Sequence, residues 1–418
     1  MPLIPVDEAR RHVLDSCGRL PVESVALDRA LGLVTAAPVV SAEAVPPFAN
    51  TAMDGYAVRA ADTAGASEER PAVLRVVGSL AAGQRPDVEV GPGEAVRIMT
   101  GAPIPAGADA VVMVELTRAG EGAVDIHTQV GPGNHVRGAG EDVAAGDEVV
   151  PAGTELRPAH LGVLASVGVG AVEAYRRPRV GVLSTGDELV EPGGGRLEPG
   201  QIRDSNRRAL LGLVRESGFE AVDLGIARDR PEDIEASVAR GAAECDALLT
   251  SGGVSVGDFD YVKVVLDRLS GGSMRWMQVA VRPAKPFAFG LVDGVPVFGL
   301  PGNPVSSMVS FELFARPALR QMMGSTGPAR FRPAVVAVAG EDMPRRPDGR
   351  LALDRVVAAW DGGGQVVARS AGLQGSHVLT AMARANALAL VPDGDGLRAG
   401  DPVVVWLIGD LPGPDPVP

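Results

Sequence analysis

The chain opens with a helical pattern of apolar and polar positions. Val6, Ala9, Val13, Leu14 and Cys17 recur at roughly helical spacing among charged residues. This spacing is typical of one face of an amphipathic helix. We therefore expect the N-terminal segment to be a helix that packs through one side.

Short β-rich runs, punctuated by glycine and proline, follow from about residue 46 to residue 146. They predict a small β domain. A second helical stretch covers residues 158–170, and the segment Tyr175-Arg176-Arg177-Pro178 then marks a boundary. A different architecture is expected beyond it.

From residue 179 to about residue 324, predicted strands and helices alternate. In chain order, the strand and helix segments are 180–183, 205–217, 221–226, 231–244, 247–249 and 259–269. Such alternation is typical of a parallel α/β sheet. A hairpin through Asp293-Gly294 and a further helix follow. From about residue 331 the β character returns, which predicts a small barrel or sandwich.

Composition and charge narrow the possible partners and location. The formal net charge is −13, from 39 basic and 52 acidic residues, and no long basic run could follow a phosphate backbone. The longest apolar stretch, near residues 161–172, is well short of the ~20 residues that span a bilayer. Two cysteines and five histidines show no metal-ligand spacing, and the first residues lack the apolar core of a signal peptide. We expect a cytoplasmic protein that binds neither nucleic acid nor membrane.

Four unusual loops follow the predicted strands and the hairpin. They contain residues 184–188, 228–229, 250–258 and 300–307. Ligands of open α/β sheets bind outside the carboxyl ends of the strands, so these loops should converge on one site.

The loop chemistry indicates an anionic ligand. The loop at residues 250–258 is rich in glycine and small hydroxyl residues, which lets backbone N–H groups approach a phosphate. Nearby carboxylates would repel one another unless a divalent cation offset their charge, and Mg²⁺ prefers such oxygen ligands. Lys285, held between two prolines, is a rigidly mounted positive charge that should face the site. Each signal alone has a structural explanation as a turn or a helix cap, and only their convergence favours a site.

Five motifs in fixed order then carry a resemblance to a known family. They are Asn50-Thr51-Ala52-Met53-Asp54-Gly55-Tyr56, Arg97-Ile98-Met99-Thr100-Gly101-Ala102, Ser184-Thr185-Gly186-Asp187-Glu188-Leu189, Ser251-Gly252-Gly253-Val254-Ser255-Val256-Gly257 and Gly299-Leu300-Pro301-Gly302-Asn303-Pro304. Together they resemble the molybdopterin molybdenumtransferase (MoeA) family over essentially the whole chain.

The resemblance implies an enzyme of molybdenum cofactor biosynthesis. Its substrates would be molybdate and adenylylated molybdopterin, with AMP release and Mg²⁺ dependence. It also implies a homodimer acting after a molybdopterin adenylyltransferase. The implied fold is multidomain α/β plus β, with four domains: a discontinuous linking domain (1–45 with 147–177), a small β domain (46–146), a parallel α/β molybdopterin-binding domain (178–327) and a C-terminal β barrel (328–418).

The resemblance also implies roles for individual residues. Asp54, Thr100, Glu188, Asp229 and Asp260 match the catalytic set, and Glu188, Asp229 and Asp260 are the expected metal ligands. The expected substrate-binding residues are Ser251, Gly252, Gly253, Lys285, Pro301, Pro304, Ser306, Arg355 and Ser376. One departure stands out, because the usual Lys-Pro-Gly-Lys-Pro run has Arg282 for its first lysine and Ala284 for its glycine here.

Both implied substrates are anions, so a locally positive cleft is expected within an acidic surface. The attacking oxygen would come from molybdate or water, since no Ser-His-Asp or Cys-His arrangement offers a protein nucleophile. Two alternatives stay open at this point. One is adenylylation of molybdopterin with ATP, because the same loop set occurs in proteins that perform that step. The other is a scaffold that kept the dimeric architecture without catalysis, as the related domain of gephyrin serves in receptor clustering.

Overall fold

The computed structural model describes residues 2–253 and 261–413. The chain divides into two compact units. One comprises Met1–Glu23, Gly32–Ala36 and Ala174–Pro418, and the other comprises Ser24–Leu31 and Ala37–Glu173. The four-domain division stays a prediction. No helix within the described ranges is long and apolar enough to cross a membrane.

The first part of the chain is mostly β structure. Helices α1 and α2 are Val6–Ser16 and Pro158–Ser166, and short 3₁₀ turns lie at Leu27–Arg29, Ala60–Thr63 and Val114–Leu116. Strands β1 to β13 are Val22–Ala26, Val34–Thr35, Val39–Val40, Asn50–Thr51, Gly55–Val58, Ala72–Leu80, Glu94–Ile98, Ala110–Met113, Thr117–Ala119, Ala123–Ile126, Val136–Arg137, Glu148–Val150 and Ala171–Tyr175. Helix α1 buries Ala9 and Val13, as its apolar spacing predicts.

The smaller unit is built around a mixed sheet with strand order β8-β5-β7-β6-β10-β9. Strand β5 pairs antiparallel with β7 and β8, whereas β6 and β7 are parallel. Apolar clusters cover both faces, with Tyr56 and Val58 in one and Ala57 in the other. Glycine is required at position 55, because a Cβ there would lie 1.9 Å from the carbonyl oxygen of Val112.

The α/β segment forms a sheet of parallel strands with an antiparallel edge. Strands β14 to β22 are Arg179–Thr185, Leu189–Val190, Ile202–Arg203, Glu220–Ala227, Ala247–Ser251, Arg275–Gln278, Val281–Arg282, Pro286–Val292 and Val295–Leu300. Helices α3 to α7 are Asn206–Glu216, Pro231–Glu244, Tyr261–Leu269, Pro304–Ser310 and Arg316–Met322, and a π-helical turn at Phe311–Ala315 joins the last two. The strand order is β17-β14-β18-β22-β21-β19, and the first four strands are parallel.

Local sequence signals fix the ends of several of these elements. Helix α4 has Pro231 at its first position and two acidic residues in its first turn, which suits the positive end of the helix. The hairpin of β21 and β22 turns through Asp293 (φ 50°) and Gly294 (φ 82°). Two successive positive φ angles are the geometry of a tight two-residue hairpin turn.

The last segment is a closed barrel. Strands β23 to β29 are Ala334–Ala339, Met343–Pro344, Leu351–Trp360, Val366–Ser370, Ala387–Val391, Gly396–Leu397 and Pro402–Leu407, and helix α8 is Leu379–Arg384. The sheet order β25-β26-β23-β29-β27 is closed by pairing of β25 with β27. The parallel α/β sheet and the barrel confirm the predicted fold class.

Candidate active site

Four loops meet at the carboxyl edge of the parallel sheet. The backbone N–H of Asp229 donates to Oδ1 of Asp187 at 3.3 Å, which joins the loops after β14 and β17. The backbone N–H of Gly252 donates to the carbonyl of Leu300 at 3.1 Å, which joins the loops after β18 and β22. The predicted convergence is therefore present in the described part of these loops.

A small cavity of about 110 Å³ lies at this edge. Its lining consists of Thr185, Glu188, Leu189, Ile202, Arg203, Asp204, Ser205, Asn206, Ser251, Gly252, Gly302 and Pro304. We call it the glycine-loop pocket. It brings together Glu188, Ser251, Gly252 and Pro304, four of the residues expected from the sequence.

Tight packing explains the glycines around this pocket. A Cβ at Gly186 would lie 2.5 Å from the carboxylate of Glu188, and one at Gly252 would lie 3.0 Å from Oγ1 of Thr185. At Gly253 a Cβ would lie 2.3 Å from the side chain of Val262. All three glycines also have φ angles in the range that L side chains rarely adopt. Backbone groups consequently approach the pocket where side chains would block them.

Asn206 links two of the loops and was not among the site residues expected from the sequence. Its Nδ2 donates to Oγ of Ser251 at 2.7 Å and to the carbonyl of Gly302 at 2.6 Å. The only sequence signal was its position at the start of α3, directly after Asp204-Ser205. The amide fixes the distance between the glycine loop and the loop after β22.

A buried ionic network supports the loop that carries Glu188. The guanidinium of Arg207 is 2% exposed and donates to Oδ2 of Asp204 at 2.8 Å. It also pairs with Asp223 and Glu191. Ser184, at the end of β14, donates to Oδ1 of Asp204 at 3.0 Å. The network therefore connects strand β14, the start of α3 and the loop beyond Glu188.

A larger cavity of about 440 Å³ lies where the loop before β21 meets the barrel segment. Its lining consists of Arg282, Pro283, Ala284, Lys285, Pro286, Asn303, Ser306, Arg350, Gln374, Gly375 and Ser376. We call it the cationic pocket. Lys285, Ser306 and Ser376 were expected there, whereas Arg350, Asn303 and Gln374 were not anticipated. Within the described chain, three cationic residues and no carboxylate line it, which supports the expected positive cleft.

Ala284, which stands where the usual family pattern has glycine, lines this pocket. Ala284 has a φ of 79° and is 2% exposed. Glycine adopts this left-handed region without strain, so the usual pattern of the family has the residue that the geometry favours. The alanine adopts the left-handed conformation here, and Lys285 lines the pocket.

Arg355 does not line either pocket. Its side chain is fully buried and donates to the carbonyl oxygens of Leu373 at 3.5 Å and Gly375 at 3.3 Å. Burial lowers the pKa of its guanidinium. Gln374 adds two bonds to the backbone of Arg355, accepting at 2.8 Å and donating at 2.9 Å. In this structure Arg355 thus holds the loop that leads to Ser376.

The two pockets share one short segment. Pro304 lines the glycine-loop pocket, and its neighbours Asn303 and Ser306 line the cationic pocket. The backbone N–H of Val305 donates to the carbonyl of Ser376 at 3.1 Å. Pro301 is buried at the start of the same loop. The segment is therefore placed to contact ligands in both cavities.

Asp54 and Thr100 form a separate pair in the smaller unit. Oδ1 of Asp54 accepts hydrogen bonds from the backbone N–H of Thr100 at 2.7 Å and from its Oγ1 at 2.8 Å. These bonds, with a smaller contribution from Arg97, hold the pKa of Asp54 below its usual range. The strand pairing of β5 with β7 brings the two loops together.

The expected metal ligands fit Mg²⁺ in chemistry but are incompletely described. Glu188 lines the glycine-loop pocket, and Asp229 bonds to the loop that carries Asp187 and Glu188. Their carboxylate oxygens are the donors that Mg²⁺ prefers. Asp258 and Asp260 lie outside the described residues. Within the ranges that the structure does describe, no group of three His, Cys, Asp or Glu side chains could hold a metal ion.

Three family models match most of the chain. The family described as "MoeA N-terminal region (domain I and II)" matches residues 4–168. A "Probable molybdopterin binding domain" matches residues 181–321, and "MoeA C-terminal region (domain IV)" matches residues 336–408. Molybdopterin molybdenumtransferase 2 of Mycobacterium tuberculosis is 40% identical over 406 residues, which are 96% of this chain and 98% of the relative. The chain belongs to the molybdopterin molybdenumtransferase (MoeA) family.

A second curated relative and a solved structure of the MoeA family are also similar to this chain over nearly its whole length. The molybdopterin molybdenumtransferase of Haemophilus influenzae is 37% identical over 409 residues, covering 96% of this chain and 98% of its own length. The crystal structure of the molybdopterin biosynthesis MoeA protein from Pyrococcus horikoshii OT3 superposes with a TM-score of 0.80 at 31% identity, covering 97% of this chain and all of that one. The chain is thus an enzyme, a transferase of molybdenum cofactor biosynthesis.

Proposed function

We propose that this enzyme inserts molybdate into adenylylated molybdopterin and releases AMP. The observation that carries the proposal is a pair of pockets lined by neighbouring residues of one segment, Pro304 in the glycine-loop pocket and Asn303 and Ser306 in the cationic pocket. A reaction between two anionic substrates needs two neighbouring subsites, and at least one of them must be positively charged. The relatives named molybdopterin molybdenumtransferase supply the substrate class.

In this proposal molybdate occupies the cationic pocket. Lys285 there has no ion-pair partner within the described ranges, so its ammonium is available to an oxyanion. Ser306 and Ser376 offer hydroxyl donors beside it. The charged ammonium of Lys285 forms a stronger hydrogen bond to an anionic oxygen than a neutral hydroxyl does.

The pterin phosphate and its adenylyl group are proposed to bind at the glycine-loop pocket. Gly252 and Gly253 allow close approach of the backbone, and Ser251 is held in place by Asn206. If water attacks the adenylyl phosphorus, the phosphoanhydride bond breaks and AMP and the pterin phosphate are released. If a molybdate oxygen attacks instead, AMP keeps that oxygen and is released when its bond to molybdenum breaks, as molybdenum binds the dithiolene sulfurs of the pterin. The protein contributes position and charge rather than a nucleophile.

Glu188 and Asp229, together with Asp260, would hold Mg²⁺. When bound, the ion would offset the negative charge of the phosphates, as divalent cations do in phosphoryl transfer. Asp54 and Thr100 belong to the proposed catalytic set as well. We further propose a homodimer, cytoplasmic location and supply of the substrate by a molybdopterin adenylyltransferase.

The direct test is AMP release by the purified protein from adenylylated molybdopterin with Mg²⁺, with and without molybdate. Glu188→Gln should abolish the release that molybdate stimulates. Glu198→Gln is the matched control, because Glu198 is exposed on the following loop and lines neither pocket. Both variants should keep the wild-type melting temperature.

Two results would contradict the proposed activity, and a third would contradict only the role of Glu188. Synthesis of adenylylated molybdopterin from ATP would place the protein one step earlier. Binding of the pterin without AMP release would indicate a scaffold or carrier. Equal activity of the Glu188 variant and its control would remove Glu188 from the catalytic set.

A further inference from the structure

The cationic pocket contains a third cation, Arg350, that the resemblance to the family does not assign. Arg350 precedes strand β25 and lines the pocket together with Arg282 and Lys285. Its side chain is 25% exposed, so it is neither a core residue nor a freely solvated one.

Asp348 fixes the orientation of the Arg350 guanidinium. Oδ2 of Asp348 accepts from Nε of Arg350 at 3.0 Å and also from its Nη2. Such a two-point contact holds the guanidinium plane in one direction. It uses one edge of the guanidinium and leaves Nη1 without a protein partner in the described ranges.

Asp348 is itself rigidly held. Its other oxygen, Oδ1, accepts from the buried guanidinium of Arg345 at 2.9 Å. Its backbone N–H and that of Gly349 donate to the two carboxylate oxygens of Asp393, at 2.9 and 3.0 Å. Asp348, which orients the Arg350 guanidinium, is therefore held to the barrel segment by several hydrogen bonds.

The surrounding charge favours an anion. Asp348 lies 3.9 Å from the guanidinium of Arg282 and contacts Arg350 directly, so one carboxylate faces two pocket arginines. Lys285 adds a third positive charge. The arrangement keeps a net positive charge at the pocket while fixing the directions of its donors.

We propose that Arg350 is a further oxyanion-binding residue of this pocket, and that it donates through Nη1 to a tetrahedral oxyanion held there. This inference rests on the proposed function for the identity of the ion as molybdate. The competing explanation is that the Arg350–Asp348 pair only secures the loop before β25.

The test measures binding of molybdate itself. Equilibrium dialysis against the full chain, with molybdenum determined by elemental analysis, gives the dissociation constant without any need for turnover. Losing a charge-assisted hydrogen bond should weaken binding by about tenfold or more in Arg350→Gln. Arg350→Lys keeps the charge without the planar guanidinium, and should recover part of the affinity.

Two further variants separate binding from folding. Arg346→Gln is the matched control, because Arg346 is exposed four residues earlier and does not line the pocket. It should leave the dissociation constant within twofold of wild type. Asp348→Asn keeps the Arg350 charge but removes the carboxylate that orients its guanidinium, so we expect a smaller loss of affinity for molybdate. Melting temperatures of all variants show whether each is folded.

Unchanged molybdate binding in folded Arg350→Gln would overturn the inference. An equal loss in Arg346→Gln would also overturn it, because net charge alone would then explain the effect. If molybdate binding is weakened in Arg350→Gln but not in Arg346→Gln, and wild type releases no AMP with molybdate, the inference stands and the proposed function fails.

Discussion

Thr100 donates two hydrogen bonds to a single oxygen of Asp54, one from its backbone N–H at 2.7 Å and one from its hydroxyl at 2.8 Å. The two residues are 46 positions apart and meet because β5 and β7 are antiparallel neighbours. Both bonds favour the ionised carboxylate, which is why the pKa of Asp54 is lowered.

Removing the hydroxyl should raise the pKa of Asp54 towards its ordinary value. Carboxyl carbon NMR of Thr100→Val would show this shift, with Thr128→Val as the control, because the hydroxyl of this half-buried threonine donates, among the described residues, only to the carbonyl of Gln129 at 3.5 Å. The depressed pKa makes ionised Asp54 favour the folded state above the unfolded pKa, near 3.9. That contribution is lost as pH falls through the folded pKa, so the variant should be less stable than wild type above the unfolded pKa and should approach wild-type stability as pH falls through the folded pKa. An unmoved Asp54 resonance in the variant would show that the hydroxyl bond does not form.

The buried ionic network predicts an asymmetric effect of two neighbouring substitutions. Arg207→Leu leaves Asp204 buried without its cation, and breaking such a pair costs roughly 3–5 kcal/mol of unfolding free energy. Arg208 is 53% exposed, so Arg208→Leu should cost less than about 1 kcal/mol. Urea unfolding compares the two, and equal losses would contradict the assigned role of the network.

The glycine loop predicts a steric effect that can be separated from backbone strain. Gly253→Ala places a Cβ 2.3 Å from Val262 at a φ of 70°. Gly271→Ala has a similar φ of 59° but nothing within 4 Å. The first change should cost about 1–3 kcal/mol more than the second, because only it adds a clash to the strain. Thermal melts of the two variants test this, and similar losses would mean that Val262 can move away.

The two hydrogen bonds that Asn206 donates predict that its substitution weakens binding of the pterin substrate with little loss of folding stability. Asn206→Asp is isosteric but removes both Nδ2 donors to Ser251 and Gly302. We expect at least a fivefold rise in KM for adenylylated molybdopterin, while KM for molybdate changes less, because the glycine-loop pocket is the one affected. A rise confined to molybdate would reverse our assignment of the two pockets.

Local signals in the sequence were sufficient for much of the fold. The predicted helix at 231–244 coincides with Pro231–Glu244, since proline and acidic residues mark its start. The hairpin follows from Asp293-Gly294, which accept positive φ angles. The convergence of the loops after β14, β17, β18 and β22 follows from parallel strand order alone.

The cationic pocket could be predicted only in part. Lys285 was recognisable from its prolines, but Arg350 reaches the same cavity because β20 pairs with β25, with Arg282 opposite Ala352. No local sequence pattern predicts this pairing, because the two paired residues are 70 positions apart in the chain. The burial of Arg355 was equally unpredictable, because which face of β25 is covered depends on the closed barrel.

We propose that molybdenum is transferred to the pterin as the adenylyl group leaves. The most direct measurement incubates the enzyme with Mg²⁺, molybdate and adenylylated molybdopterin, then quantifies AMP and the molybdenum bound to extracted pterin in the same sample. The account predicts one molybdenum atom in the pterin for each AMP released. AMP release with molybdenum-free pterin would contradict it, since the chain would then only hydrolyse the adenylylated substrate.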